Sequence, residues 1–160
     1  MRNADGDVLR LRRRERSSEN PLHDKVVLWA GGHVRREDAE NGDPLIRCAA
    51  RELEEELRLQ IRLSDLVPIG AVYFDNGGNT SKHVAIAYEW RSTTNDVSAV
   101  LSRSEFFERR GTSLRGSFAG VDKLVDDVHT KRLKEPWSVE LIREHLAKGA
   151  FGEGLSLFDT

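Results

Sequence analysis

Glu52, Glu55 and Glu56 stand at i, i+3 and i+4 in the run Arg51-Glu52-Leu53-Glu54-Glu55-Glu56-Leu57. On a helix that spacing brings three carboxylates to one side patch. Adjacent like charges repel there by about 0.2–0.5 kcal/mol per pair. A hard divalent cation removes the repulsion and turns the patch into an oxygen-rich site suited to Mg²⁺ or Mn²⁺. The same spacing also describes an ordinary solvated acidic face, and spacing alone leaves both readings open.

A helix must carry these side chains, and Asp43-Pro44 marks its start. Asp43 can cap orphan amides, while proline at the first helical position lacks only a proton that would go unpaired. On a 3.6-residue period Ile46, Ala49, Ala50, Leu53 and Leu57 form the apolar stripe expected to pack on a sheet. Arg47, Arg51, Glu54 and Arg58 are expected on the opposite, water-facing side.

The stretch Gly31–Leu59 resembles the Nudix box: Gly, five residues, Glu, seven residues, then Arg-Glu-U-x-Glu-Glu-x-Gly-U, with U a bulky aliphatic. Arg51 to Leu59 meets all but one specified position of the second half. Asp43, separated from Arg51 by seven residues, stands where the pattern has Glu. Ten residues separate Gly32 from Asp43, which places an insertion at about 36–41. Arg58 occupies the glycine position near the helix end. A left-handed Arg58 costs about 1 kcal/mol unless the helix runs on.

The resemblance implies one Nudix-like domain over residues 1–160, an α/β/α sandwich with a mixed sheet flanked by helices. It implies a metal-dependent pyrophosphohydrolase of a small nucleotide-type diphosphate, with Mg²⁺ or Mn²⁺ held by Glu52, Glu55, Glu56 and the Gly32 carbonyl. Glu52 is the first choice to accept the water's proton, and Arg51 is a structural neighbour that orients a carboxylate. By the same likeness Glu105 and Glu108 are candidates for one further acid from a loop bordering the cleft. The alternative is a catalytically weak or inactive module on the same fold that binds a nucleotide or a protein. An isomerase of an allylic diphosphate would need a reactive cysteine in the cleft, whereas Cys48 lies within the helix beside the apolar stripe.

The remaining chain supplies the scaffold. Asp7–Arg13 alternates as a strand after a turn at Asn3–Gly6. Only Met1 and Arg2 stand before that turn to supply an earlier arm. The first strand of the sheet is therefore expected to be missing, leaving an edge that favours pairing with another chain, a homodimer included. Arg13, within an arginine cluster from Arg10 to Arg16, and His33 are candidates to touch phosphate. Lys25–Ala30 reads as a strand delivering the chain to Gly31-Gly32. Leu66–Asp75 and Ser81–Arg91 read as two strands joined through the turn signal Asn76-Gly77-Gly78-Asn79. Tyr73 could stack on a base. Asp96–Leu101 reads as a short strand, Asp122–His129 as a short helix, and Pro136–Lys148 as a last helix. This order of strands and helices points to an α/β sandwich.

Composition sets the outer bounds. The chain has 160 residues, 38% hydrophobic and 32% charged, which fits one globular domain with a real core. A net charge of −2 gives no bulk attraction to nucleic acid or to anionic membranes. No apolar run is long enough to span a bilayer, and no signal peptide is legible. The single Cys48 excludes an internal disulfide, which suits a cytoplasmic protein.

Overall fold

The computed structural model describes residues 1–13, 25–75, 77, 79–95, 106 and 117–147. Strand β1 (Val8–Arg12) is the centre of a three-stranded antiparallel sheet, flanked by β2 (Val26–Val27) and β5 (Ser117–Ala119). Its alternation sends Val8 to one face and Leu9 and Leu11 to the other. Val8, Leu28 and Ala119 pack against Leu124 of α2 (Val121–His129) and against Val139 of α3 (Pro136–Leu141). Leu9, Leu11 and Val27 pack against Phe106 and against Leu57 of α1 (Pro44–Leu57). This sheet therefore has a helix layer on each face. Burying both faces at once is what makes a sheet this small viable.

The chain is mixed α/β, and its strands form two antiparallel sheets where one mixed sheet was expected. The second sheet pairs β3 (Val67–Tyr73) with β4 (Val84–Glu89), with a register shift between Pro68 and Gly70. Arg2 joins the two, bridging Val8 in antiparallel fashion and Arg91 in parallel. The Arg2 amide donates to Trp90 O at 2.9 Å, and the Ser92 amide donates to Arg2 O at 2.9 Å. One residue thus does the joining that an expected first strand would do. Buried Glu89 holds it in place, accepting from Arg2 Nε at 2.8 Å.

The strand expected over Lys25–Ala30 pairs only at Val26–Val27. Beyond them the backbone turns to other partners: the Leu28 amide donates to Ser138 Oγ at 3.1 Å, outside any ladder. The β3–β4 connection is longer than a tight hairpin turn, for a 3₁₀ turn at Asn79–Lys82 precedes β4. The last helix follows its expected course through Leu146, but Ile142–Leu146 is wound as a π-helical segment. The strand expected over Asp96–Leu101 lies outside the described residues. Among the described residues no helix is long and apolar enough to cross a membrane.

Helix α1 begins as its first residues dictate. Asp43 accepts from the Leu45 amide at 2.9 Å, and Pro44 occupies the first turn. It ends with Arg58 left-handed at φ 54° and ψ 31°, the Arg58 amide reaching Glu54 O at 3.0 Å and the Leu59 amide reaching Leu53 O at 3.3 Å. An exposed arginine thus does what glycine does without strain. Arg58→Gly should raise the unfolding free energy by about 0.5–1 kcal/mol, relief of left-handed strain exceeding the added unfolded-chain entropy. A urea midpoint at or below that of the parent would refute this account of the helix end.

Candidate functional site

The acidic face of α1 is covered. Glu52 and Glu56 are each only 6% exposed, and with Cys48 they form a buried line at four-residue spacing. Of the expected packing stripe, Leu57 is buried in the core with Leu53 packed against it, while Ile46, Ala49, Ala50 and Leu53 are only partly buried. The loop Gly31–Asp38 accounts for the difference by folding over the carboxylates. A Cβ built on Gly32 would come within 2.4 Å of Glu52 Oε1, so a side chain here would push the carboxylate from its present place. The Gly31 amide donates to Glu56 Oε2 at 3.0 Å.

Arg51, expected to face water, is the hub of the site. Its guanidinium donates to Asp38 in a fork, Nε to Oδ1 at 2.9 Å and Nη2 to Oδ2 at 3.0 Å. Nη1 reaches Glu52 Oε1 at 2.6 Å and Glu55 Oε2 at 3.2 Å. Nη2 also reaches the His33 carbonyl at 3.2 Å and Cys48 Sγ at 3.5 Å. The fork clamps the loop to the helix and sets the direction of two carboxylates. It holds the Asp38 carboxyl down at about 2, from an ordinary 3.8, chiefly through the hydrogen bond from Arg51.

Arg13 plays the same part for Glu56. Its Nη1 donates to Glu56 Oε1 at 2.7 Å, both side chains being buried. The guanidinium lies 4.8 Å from the Trp29 ring centre and 4.6 Å from that of Phe106. Arg13 is turned inward onto Glu56. Burial pushes the Glu56 carboxyl up, against the pull of Arg13 and the Gly31 amide. Glu55 is the open member of the trio, its side chain 43% exposed, gripped by Arg35 Nη1 and Nη2 at 3.0 and 3.1 Å.

The structure thus brings Arg51, Glu52, Glu55, Glu56, Arg13 and Gly32 together. The His33 ring lies exposed at their margin, tilted against His83 with ring centres 5.2 Å apart. Tyr73 belongs elsewhere. It lines a cleft of about 600 Å³ between β3 and the last helix, with Ile69, Val72, Arg143 and His145, and none of the three site glutamates borders that cleft. Glu105 and Glu108 lie outside the described residues. Cys48 is buried and its thiol is pushed up by burial, the opposite of an activated nucleophile.

Asp38 is the residue that the sequence reading missed. Asp43 only caps the helix, and the partner of Arg51 is Asp38, inside the segment taken for an insertion. The signal was present: Asp38 follows Gly32 after five residues, so the extra length falls between Asp38 and the helix, in a turn that includes Gly42 at φ +121°. Glu89 was also missed. It is buried and accepts from Arg2 Nε and Arg91 Nε, with His145 Nε2 at 3.2 Å. An acid interrupting an apolar strand was its only mark.

The donor set fits a hard cation in chemistry. Three carboxylates and a glycine carbonyl offer oxygen alone, and the absent Gly32 side chain leaves room for the Glu52 carboxylate beside it. Among the described residues no three acidic, histidine or cysteine side chains are gathered closely enough to cage a metal ion. Mg²⁺ does not require a closed cage, since one or two carboxylates, waters and substrate phosphates commonly suffice.

The fold has a counterpart among solved structures. The crystal structure of DR0079 from Deinococcus radiodurans superposes with a TM-score of 0.60 at 21% identity, covering 89% of this chain and 76% of that one. At that identity the likeness extends to the fold alone. No protein-family model matches the chain, and no curated protein matches it.

The Asp38 clamp has a pH signature. Its folded carboxyl sits below its unfolded value, so its contribution is complete above about pH 4 and fades as pH falls toward 2. Asp38→Asn should therefore flatten the acid limb of stability between pH 4 and 2 relative to the parent. Urea midpoints across that range check this, and parallel acid limbs would sink it.

Proposed function

We propose that the chain is a Nudix-like hydrolase that uses Mg²⁺ or Mn²⁺ to cleave a diphosphate linkage in a nucleotide-type small molecule. The observation that carries the reading is the contact of Gly32 backbone with the Glu52 carboxylate while Arg51 is held by Asp38. With Asp38 in place of Asp43, the five-residue interval after the glycine agrees with the box pattern. The helix layers on both faces of the β2-β1-β5 sheet support the α/β/α reading of the fold.

Glu52, Glu55 and Glu56 with the Gly32 carbonyl would hold the cation. Bound there, it supplies charge neutralisation of phosphate oxygens and acidifies water for attack on phosphorus. The chain's own residues do the rest. Arg51, fixed by the Asp38 fork, keeps the Glu52 and Glu55 oxygens turned to one side. Arg13 keeps Glu56 in register from below. Glu52, at the glycine loop, would accept a proton from the attacking water. Glu55, the exposed member, marks the side from which substrate arrives.

A second reading has its own observation. All three carboxylates already have guanidinium partners, so a module binding a nucleotide or a protein without chemistry has no need of a cation to neutralise them. Calorimetric titration with Mn²⁺ separates the two: the hydrolase takes up the ion at this helix, and the bare module does not.

Glu55→Gln should lower release of phosphate or monophosphate from a nucleoside diphosphate panel with Mg²⁺ by about 10²-fold or more, with the fold unchanged. Hydrolysis at the parent rate would remove Glu55 from the ligand set. Glu56→Gln should be as damaging, but it also leaves Arg13 buried with a weakened partner, so its unfolding curve has to be recorded alongside.

A further inference from the structure

Glu55 is claimed twice. Arg51 reaches one of its oxygens and Arg35 grips both, but the two guanidiniums are not equally replaceable. The Arg51 side chain is only 17% exposed and is also forked to Asp38 and bonded to Glu52, so its hold does not rest on Glu55. Arg35 has a side chain 47% exposed, and among the described residues its one other carboxylate at ion-pair distance is Glu37, at 3.9 Å and itself 60% exposed. A cation taking Glu55 therefore displaces Arg35 and leaves Arg51 in place. Displaced, Arg35 is a forked donor on an exposed loop at the rim of the carboxylate patch, the arrangement that suits a phosphate oxygen pair.

We propose that Arg35 is an exchangeable counter-ion: it neutralises Glu55 in the cation-free protein and passes to substrate phosphate once a divalent cation holds that carboxylate. The idea rests on the diphosphate hydrolase reading above and adds a positioning residue to it. It also accounts for a site whose carboxylates all have basic partners and still accept a cation, because the open carboxylate is the one whose partner can leave.

The test uses the full chain with Arg35→Ala, Arg35→Lys and, as a control removing the same charge one residue along, Arg36→Ala. Mn²⁺ affinity is read by calorimetry. Binding of inorganic phosphate to the Mg²⁺-saturated protein is followed by phosphorus NMR. Arg35→Ala should bind Mn²⁺ about two- to fivefold more tightly, the range of an exposed ion pair, and bind phosphate about fivefold more weakly. Arg35→Lys should fall between it and the parent in both, and Arg36→Ala should match the parent. Unchanged or weaker Mn²⁺ binding by Arg35→Ala overturns the proposal. Tighter Mn²⁺ binding with parental phosphate affinity overturns it too, since Arg35 would then only compete. Equal gains in Arg35→Ala and Arg36→Ala reduce the effect to bulk charge and overturn it as well. Mn²⁺ uptake with hydrolysis but no response to Arg35 removes this proposal alone, whereas no Mn²⁺ uptake by any variant removes the hydrolase reading with it.

Discussion

Carboxylates can be buried on α1 only because guanidiniums reach them there. Glu52 and Glu56 sit on the most enclosed line of the helix, where an unpaired carboxylate would carry a desolvation penalty of several kcal/mol. Arg51 answers for Glu52, and Arg13 answers for Glu56. Neither pair needs to be a net source of stability. Their effect lies in the cost of breaking them, about 3–5 kcal/mol for a buried pair that loses one partner. That penalty fixes the loop Gly31–Asp38 on the helix and the end of β1 beneath it.

The balance is uneven around the patch, and the unevenness has chemical consequences. Glu56 is the most constrained acid, with a buried arginine on one oxygen and the Gly31 amide on the other. Glu55 is the least constrained, its partners reaching it from an exposed loop and from a guanidinium committed elsewhere. Glu52 stands between them, against backbone that has no side chain to interpose. A patch of three equivalent acids would be either closed by arginines or open to solvent. Graded burial permits a rigid base and a replaceable rim on one helix.

Much of the scaffold was legible because it follows from local rules. The Asp43-Pro44 start, the β1 alternation, the short helix over Val121–His129 and the start of the last helix at Pro136 each depend on a few neighbouring residues. The burial of the acidic face was not legible. Periodicity ranks the faces of a helix by their own polarity, so Arg51 was turned to water and the apolar stripe inward. It carries no information about a loop that returns to cover the polar side. The choice of Asp43 over Asp38 failed in the same way, since counting back from Arg51 assumes that the intervening turn has the usual length. Among the described residues the β-bridges that join the two sheets run through Arg2, and a single bridging residue leaves no pattern to read.

The far helix layer also enters the site. Glu135 caps α3 through the Trp137 and Ser138 amides, and its Oε2 also accepts from Trp29 Nε1 at 3.0 Å. Ser138 Oγ accepts from the Leu28 amide, so β2 ends where the α3 cap begins. Trp29, set edge-on to Trp137 with ring centres 5.6 Å apart, then presents its face to Arg13. A chain of contacts thus runs from Glu135 through Trp29 to Arg13 and on to Glu56, crossing the molecule from one helix layer to the other. The aim of Glu56 depends on that indole, and the indole depends on a cap belonging to a different helix. A Glu at the first position before Pro136 is an unremarkable cap by sequence, but here it sets how the glycine loop meets the acidic face.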